Sequence, residues 1–214
     1  MATEKKKMGL SNTFKLPERV TKEEAEDAVR VLLRWAGEDP KREGLIDTPN
    51  RYVKAFKEWF AGYENDPMQI LSRTLNEVEG YDEMVVLRNV SFESHGEHHI
   101  ASITGDAHMA YLPDKRVVRV SKLARLVDLY SKRLQIQERL TAQIATILNN
   151  VLQPKGVSIV VESSHECMTT HRVEKTGLTM VTSQIIGVFK EDSATRREFL
   201  ATIGVPTSCP VNII

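Results

Sequence analysis

Met84-Val85-Val86-Leu87-Arg88-Asn89-Val90-Ser91-Phe92 is dense in β-branched residues, and the run from His99 to Leu112 alternates more loosely before the turn at Pro113-Asp114. Both read as strands. Between them lies Ser94-His95-Gly96-Glu97-His98-His99, so two strands bracket a crowd of imidazoles. A neutral imidazole is both a metal ligand and an acid or base near pH 7. A second cluster, His165-Glu166-Cys167 through His171, lies far along the chain, and all six histidines fall between positions 95 and 171. Two distant segments that share this chemistry point to one site, and to an enzyme.

Working outward, Ser121 to about Leu152 keeps apolar residues at helical spacing (Leu123, Leu126, Val127, Tyr130, Leu134, Leu140, Ile144, Ile147, Leu148) and ends before Pro154. That predicts one long amphipathic helix. Gly156 to Val161 and Leu178 to Phe189 predict two more strands, and Ser193 to Ala201 a short closing helix. Upstream, Thr21-Lys22-Glu23-Glu24 is a capping box that opens a helix to about Ala36. Thr48-Pro49 opens another, whose apolar stripe stops at Gly62. Strand, strand, helix, strand, strand, helix predicts an α+β fold: an antiparallel sheet with helices on one face and an N-terminal helical extension. The expected division is a mobile arm over 1–19, the helical extension over 20–80, the sheet domain over 81–203 and a tail over 204–214. No internal repeat or low-complexity tract interrupts it.

Bulk composition narrows the function. The 214 residues hold 29 Lys plus Arg and 29 Asp plus Glu, so no global field favours nucleic acid or a membrane surface. Lys5-Lys6-Lys7 has no apolar segment behind it, and no stretch approaches the length of a membrane span, which predicts a cytoplasmic protein. Two cysteines make no disulfide framework. Cys167, between two histidines, carries interest; Cys209, in Pro206-Thr207-Ser208-Cys209-Pro210, reads as a bystander.

Taken together, Gly96-Glu97-His98-His99, Ala107-His108-Met109-Ala110-Tyr111-Leu112-Pro113, Ser121-Lys122-Leu123-Ala124-Arg125, Gln135-Ile136-Gln137-Glu138-Arg139-Leu140-Thr141, His165-Glu166-Cys167-Met168 and Thr195-Arg196-Arg197-Glu198-Phe199-Leu200 resemble GTP cyclohydrolase I. Several separated motifs in one order make a stronger signal than any one of them. The resemblance spans about Thr21 to Ile203. It implies a tunnel-fold (T-fold) domain in a homodecamer of two pentameric rings, with active sites at subunit interfaces. The implied reaction opens the imidazole ring of GTP at C8, releases formate and closes 7,8-dihydroneopterin triphosphate, the first step towards tetrahydrofolate and related pterins. A zinc ion held by Cys, His and Cys activates the water.

By that resemblance His99 and Cys167 match two zinc ligands, while the third position holds Gly96, which has no side chain to offer. Zinc affinity is accordingly expected to weaken; even the loss of a hydrogen bond that only orients a metal ligand costs about 10 to 100-fold. Were His95 or His98 to substitute, strand alternation favours His95, which would share a face with His99. His165 matches the proton donor to the purine, and Cys167 two residues on would share its strand face. His98 matches a residue near the ribose, and Gln137 with Glu138 the guanine anchor. Ser121 is a hydroxyl donor grouped with the catalytic histidines, and Arg51, Lys54, Lys122 and Arg125 match the triphosphate cations. His171-Arg172 stands where the family has Arg-Gly, which alters the phosphate clamp because a largely neutral imidazole lacks the bidentate fork. Arg119 stands where glycine is usual, with a cost if the backbone there needs positive φ. The clustered departures leave two alternatives beside the GTP reaction. One is a paralog that binds purine nucleotide or co-assembles with an active homologue; the other is a cyclohydrolase for an altered purine nucleotide.

Overall fold

The computed structural model describes residues 20–71, 81–170 and 177–204. In chain order these form α1 (Lys22–Trp35), α2 (Thr48–Trp59), α3 (Pro67–Leu71), β1 (Val85–Gly96), β2 (Ser102–Leu112), α4 (Val120–Ser131), β3 (Leu134–Gln135), α5 (Gln137–Leu152), β4 (Gly156–His165), α6 (Glu166–Thr170), β5 (Met180–Gly187), α7 (Val188–Glu191) and α8 (Ser193–Ile203). Short 3-10 turns lie at Glu43–Leu45 and Ala61–Glu64. The chain divides into two compact units, at Phe56 and Lys57.

In the N-terminal unit the capping box is present as read: the Glu24 N–H donates to Thr21 Oγ1 and the Thr21 N–H to the Glu24 carboxylate. α1 carries i,i+4 ion pairs of Glu26 with Lys22 and Arg30.

The second unit is built on a mixed sheet of order β3-β1-β2-β4-β5 among the described residues. β1, β2, β4 and β5 pair antiparallel; only the two-residue β3 runs parallel to β1. Alternation sorts the two faces. Ala107, Met109 and Tyr111 of β2 and Val157, Ile159 and Val161 of β4 are all 2% exposed or less and pack with Leu123, Leu126, Leu140, Ile144 and Leu148 of α4 and α5. The two long helices thus cover one face, and burying each Val, Leu, Ile or Met side chain there stabilises the fold by about 1.5–3 kcal/mol. Residues of opposite parity, Ala110 and Val160, meet Phe189 and Phe199 of α7 and α8 in a smaller cluster. Asp192 caps α8, accepting from the Ala194 and Thr195 N–H groups and the Thr195 hydroxyl, and those bonds pull its carboxyl down to about 2.

The single helix expected from Ser121 to Leu152 is instead two, because tertiary partners take over the carbonyls at the break. Ser94 Oγ donates to Ser131 O at 2.6 Å and Gly62 N to Lys132 O at 3.0 Å. The Arg133 guanidinium turns away to Gly62 O and Asn65 O, under the Tyr63 and Tyr130 rings. Gly62 can only be glycine there, since a Cβ would collide with the Leu129 carbonyl. Residues 57–71 therefore pack with the sheet unit, with Leu71 fully buried in its core. The apolar period runs through the break, which hid it from a periodicity argument. Its consequence is that Gln137 and Glu138 start a helix rather than lie midway along one. No helix among the described residues is long and apolar enough to cross a membrane.

Candidate functional site

The break brings three segments to one place. β3 lies beside the end of β1, with His95 opposite Leu134 and Gly96 opposite Gln135. β1 stops at Gly96, and residues 97–99 form a turn closed by Gly96 N to Ala101 O and Ile100 N to Gly96 O, both 2.9 Å. Ile100, β-branched yet at φ 55°, is a backbone outlier directly after His99. The turn is also tied to α5. Arg139 Nη1 donates to Glu97 Oε2 at 2.7 Å, which holds the Glu97 carboxyl below its ordinary range, and the Glu97 N–H donates to Gln135 O.

The result is a cleft of about 450 Å³ lined by Gly96, His98 and His99 from the turn, Gln137 and Glu138 from α5, and His165, Cys167 and Met168 from the β4–α6 junction. His98 and His99 stand edge to face, with ring centroids 6.4 Å apart. Burial pushes His165 below the usual imidazole range, and the Glu138 carboxylate opposes that shift. Glu138 itself is exposed to the cleft. The structure thus brings together His98, His99, Gln137, Glu138, His165 and Cys167, with Gly96 beside them.

Among the described residues, other predicted ones do not line this cleft. His95 is not in the cleft: it is 5% exposed, with its ring 4.8 Å from that of Trp59 and 5.4 Å from that of Phe60. The alternation that favoured it fails because the strand ends at Gly96, one residue on. The same reasoning fails for Cys167, which lies in α6 rather than on the strand of His165, although both reach the cleft. Ser121 and Arg125 are exposed and Lys122 half-buried on α4, away from the cleft lining of their own chain. Arg51 and Lys54 are exposed on α2 of the N-terminal unit, Arg51 paired with Asp47 at 3.2 Å. Arg119 precedes α4 at φ −63°, so the anticipated backbone cost is absent. His171, Arg172 and Cys209 lie outside the described residues. His108, the remaining histidine, is buried and accepts the Asn89 N–H on Nδ1. Sequence reading missed Ser163, Met180 and the Glu97–Arg139 tie. Ser163 was findable, being two residues before His165 on one strand and so on its face.

Burial depresses His95 below its ordinary 6.5, against the opposing pull of Glu93 and Glu166. A base depressed in the fold takes up more protons when unfolded, so its contribution is complete above 6.5 and is lost as pH falls through the folded value. His95→Leu is expected to flatten the decline in urea midpoint between pH 8 and pH 5. A pH dependence unchanged from wild type would contradict this.

A zinc ion that activates water keeps three protein ligands and one open position. In this cleft His99 and Cys167 are two donors, Gly96 supplies none and His95 is turned into the aromatic pair. Among the described residues no group of three or more His, Cys, Asp or Glu side chains could hold a metal ion. The described residues do not fit the three-ligand site.

Comparison with known proteins agrees with the motif order. The family model described as GTP cyclohydrolase I matches residues 25–204. A GTP cyclohydrolase 1 of Maricaulis maris (strain MCS10) is 51% identical over 180 residues, 84% of this chain and 88% of that protein. One from Hyphomonas neptunium (strain ATCC 15444) is 52% identical over 186 residues, covering 87% and 90%. A third, from Pelagibacter ubique (strain HTCC1062), is 51% identical over 185 residues, covering 86% and 92%. Among solved structures, the archaeosine synthase QueF-Like in the apo form matches 49% of this chain and 93% of that one at 18% identity, with a TM-score of 0.41, too slight a likeness to build on.

Proposed function

The chain belongs to the GTP cyclohydrolase I family, and from that premise we propose that its cleft binds GTP and opens the purine at C8, releasing formate and forming 7,8-dihydroneopterin triphosphate. The observation that carries the proposal is the convergence of His98, His99, Glu138, His165 and Cys167 on one cleft from three separated segments. In this reading the Glu138 carboxylate accepts two hydrogen bonds from the guanine N1–H and 2-amino group, a donor pair that adenine lacks. His165 moves the proton at the purine imidazole. His98 lies on the ribose side.

Ser121, Lys122 and Arg125 do not reach the cleft of their own chain, which supports completion of the triphosphate pocket by a second copy. The backbone N–H groups and positive dipole end of α4 add to those cations. The assembly proposed from the family is a homodecamer of two pentamers, acting in the cytoplasm with no nucleic-acid or membrane partner. The family is generally zinc-dependent, and the two-donor set here holds Zn2+ weakly.

Gly96 favours a second reading, a paralog that binds purine nucleotide or joins the rings of an active homologue without turning over. Formate and pterin assays with GTP, GDP, GMP and guanosine, with and without added zinc, separate the readings. Formate from GTP supports the first, formate only from a less phosphorylated substrate marks an altered specificity, and GTP binding without formate supports the second.

A further inference from the structure

Gln137, the first residue of α5, is 1% exposed, yet its side chain reaches two strands. Its Nε2 donates to Val161 O and to Met180 O, each at 3.0 Å. Its Oε1 accepts from Ser163 Oγ at 2.6 Å and lies 2.8 Å from His165 Nε2. A carboxamide has two N–H donors and one oxygen with two lone pairs, so all four positions are committed to the protein. Nothing of that amide is left for a base.

The orientation of the amide is forced. Val161 O and Met180 O only accept, so turning the amide over would set its oxygen against two carbonyl oxygens and strand two buried acceptors. The atom facing His165 is therefore an oxygen, which can only accept. A contact of 2.8 Å between that oxygen and a ring nitrogen requires the proton on Nε2.

We infer that Gln137 is a positioning residue rather than a guanine contact: it fixes His165 as the Nε2–H tautomer and leaves Nδ1 as the nitrogen that exchanges a proton. The inference deepens the proposed reaction and rests on that reading for its catalytic consequence. Nδ1 of neutral His165 takes a proton from solvent water, and that proton passes to the lone pair of the substrate nitrogen as the N–H bond at Nδ1 breaks, which returns the ring to neutral. The Nε2–H stays on Gln137 throughout, so the ring keeps its orientation through both halves of the transfer. Ser163 holds the second lone pair of Oε1 and so keeps the amide aimed. The guanine edge is then read by Glu138 alone among the two residues that the motif pairs.

The test is 15N spectroscopy of histidine-labelled full-length protein in the solid state, at a pH where the ring is neutral, with His165→Asn supplying the assignment. His165 is expected as the Nε2–H tautomer with a slowly exchanging N–H proton. Gln137→Met should abolish the slow exchange, while Ser163→Ala, which leaves the ring's partner in place, should keep it. A His165 ring carrying its proton on Nδ1, or a Nε2–H signal indifferent to Gln137→Met, overturns the inference. These spectra need no turnover, so they decide it even if GTP is never hydrolysed. With GTP, Gln137→Met is expected to leave binding within about threefold while kcat falls by about 10²-fold, the scale of one general acid or base. A loss of GTP affinity as large as that of Glu138→Gln would return Gln137 to the guanine anchor and also overturn it.

Discussion

Gly96→Cys is expected to raise the zinc affinity of the cleft by at least about 10 to 100-fold, since a side chain bound directly to the metal is worth no less than the hydrogen bonds that orient its ligands, for which that range is typical. Space is available: a Cβ at Gly96 would meet only Ala101 O at 3.7 Å and Ile103 Cδ1 at 3.8 Å, both ordinary contacts. The backbone there lies outside the positive-φ region, so a side chain adds no strain. Gly96 lines the same cleft as His99 and Cys167, and the added thiolate brings negative charge beside them. Gly96→Ala is the control, filling the same space without a donor. Zinc titration against a competing chelator should show tightening for cysteine alone. Equal affinity for wild type and Gly96→Cys would mean that position 96 is not where a third ligand belongs.

Glu138→Gln is the second large effect, expected to weaken GTP binding by about 10²-fold or more. In the proposed reading one hydrogen bond to guanine is lost, the other loses its charge, and an amide N–H is turned towards a donor edge that has no use for it. Glu138 is exposed at the first turn of α5, so the change should leave thermal unfolding close to wild type. Calorimetric titration with GTP and ATP makes the distinction: a selective loss for GTP is the expected outcome. Equal GTP affinity in wild type and variant would remove Glu138 from base recognition.

Much of the fold was legible because its strands and helices bury their faces with clear periods. β1 came from a β-branched run, β2 from looser alternation before a turn, and α1 from its capping box and apolar spacing. The break between α4 and α5 was not legible, because its cause is tertiary: Ser94 and Gly62, distant in sequence, hold the carbonyls of Ser131 and Lys132. Periodicity sees side-chain spacing and cannot see which backbone groups find remote partners. The same limit paired His95 with His99 and His165 with Cys167 on strand faces, since both arguments extended alternation past the residue where the strand stops. The cleft residues themselves were recognisable from motif order. What that order could not show is the role of Gln137, whose four bonds depend on where α5 starts and on the spacing of β4 and β5. Nor could it show that Ser121, Lys122 and Arg125 lie away from the cleft of their own chain, a matter of placement rather than of residue type.

The most direct measurement is formate release from GTP by the full-length protein with excess zinc, read alongside the fluorescence of the oxidised pterin. The proposed function predicts formate and pterin in equal amounts, with a faster rate for Gly96→Cys. No formate and no pterin at high protein concentration, with GTP demonstrably bound, would contradict it and leave a nucleotide-binding member of the family whose chemistry has been lost.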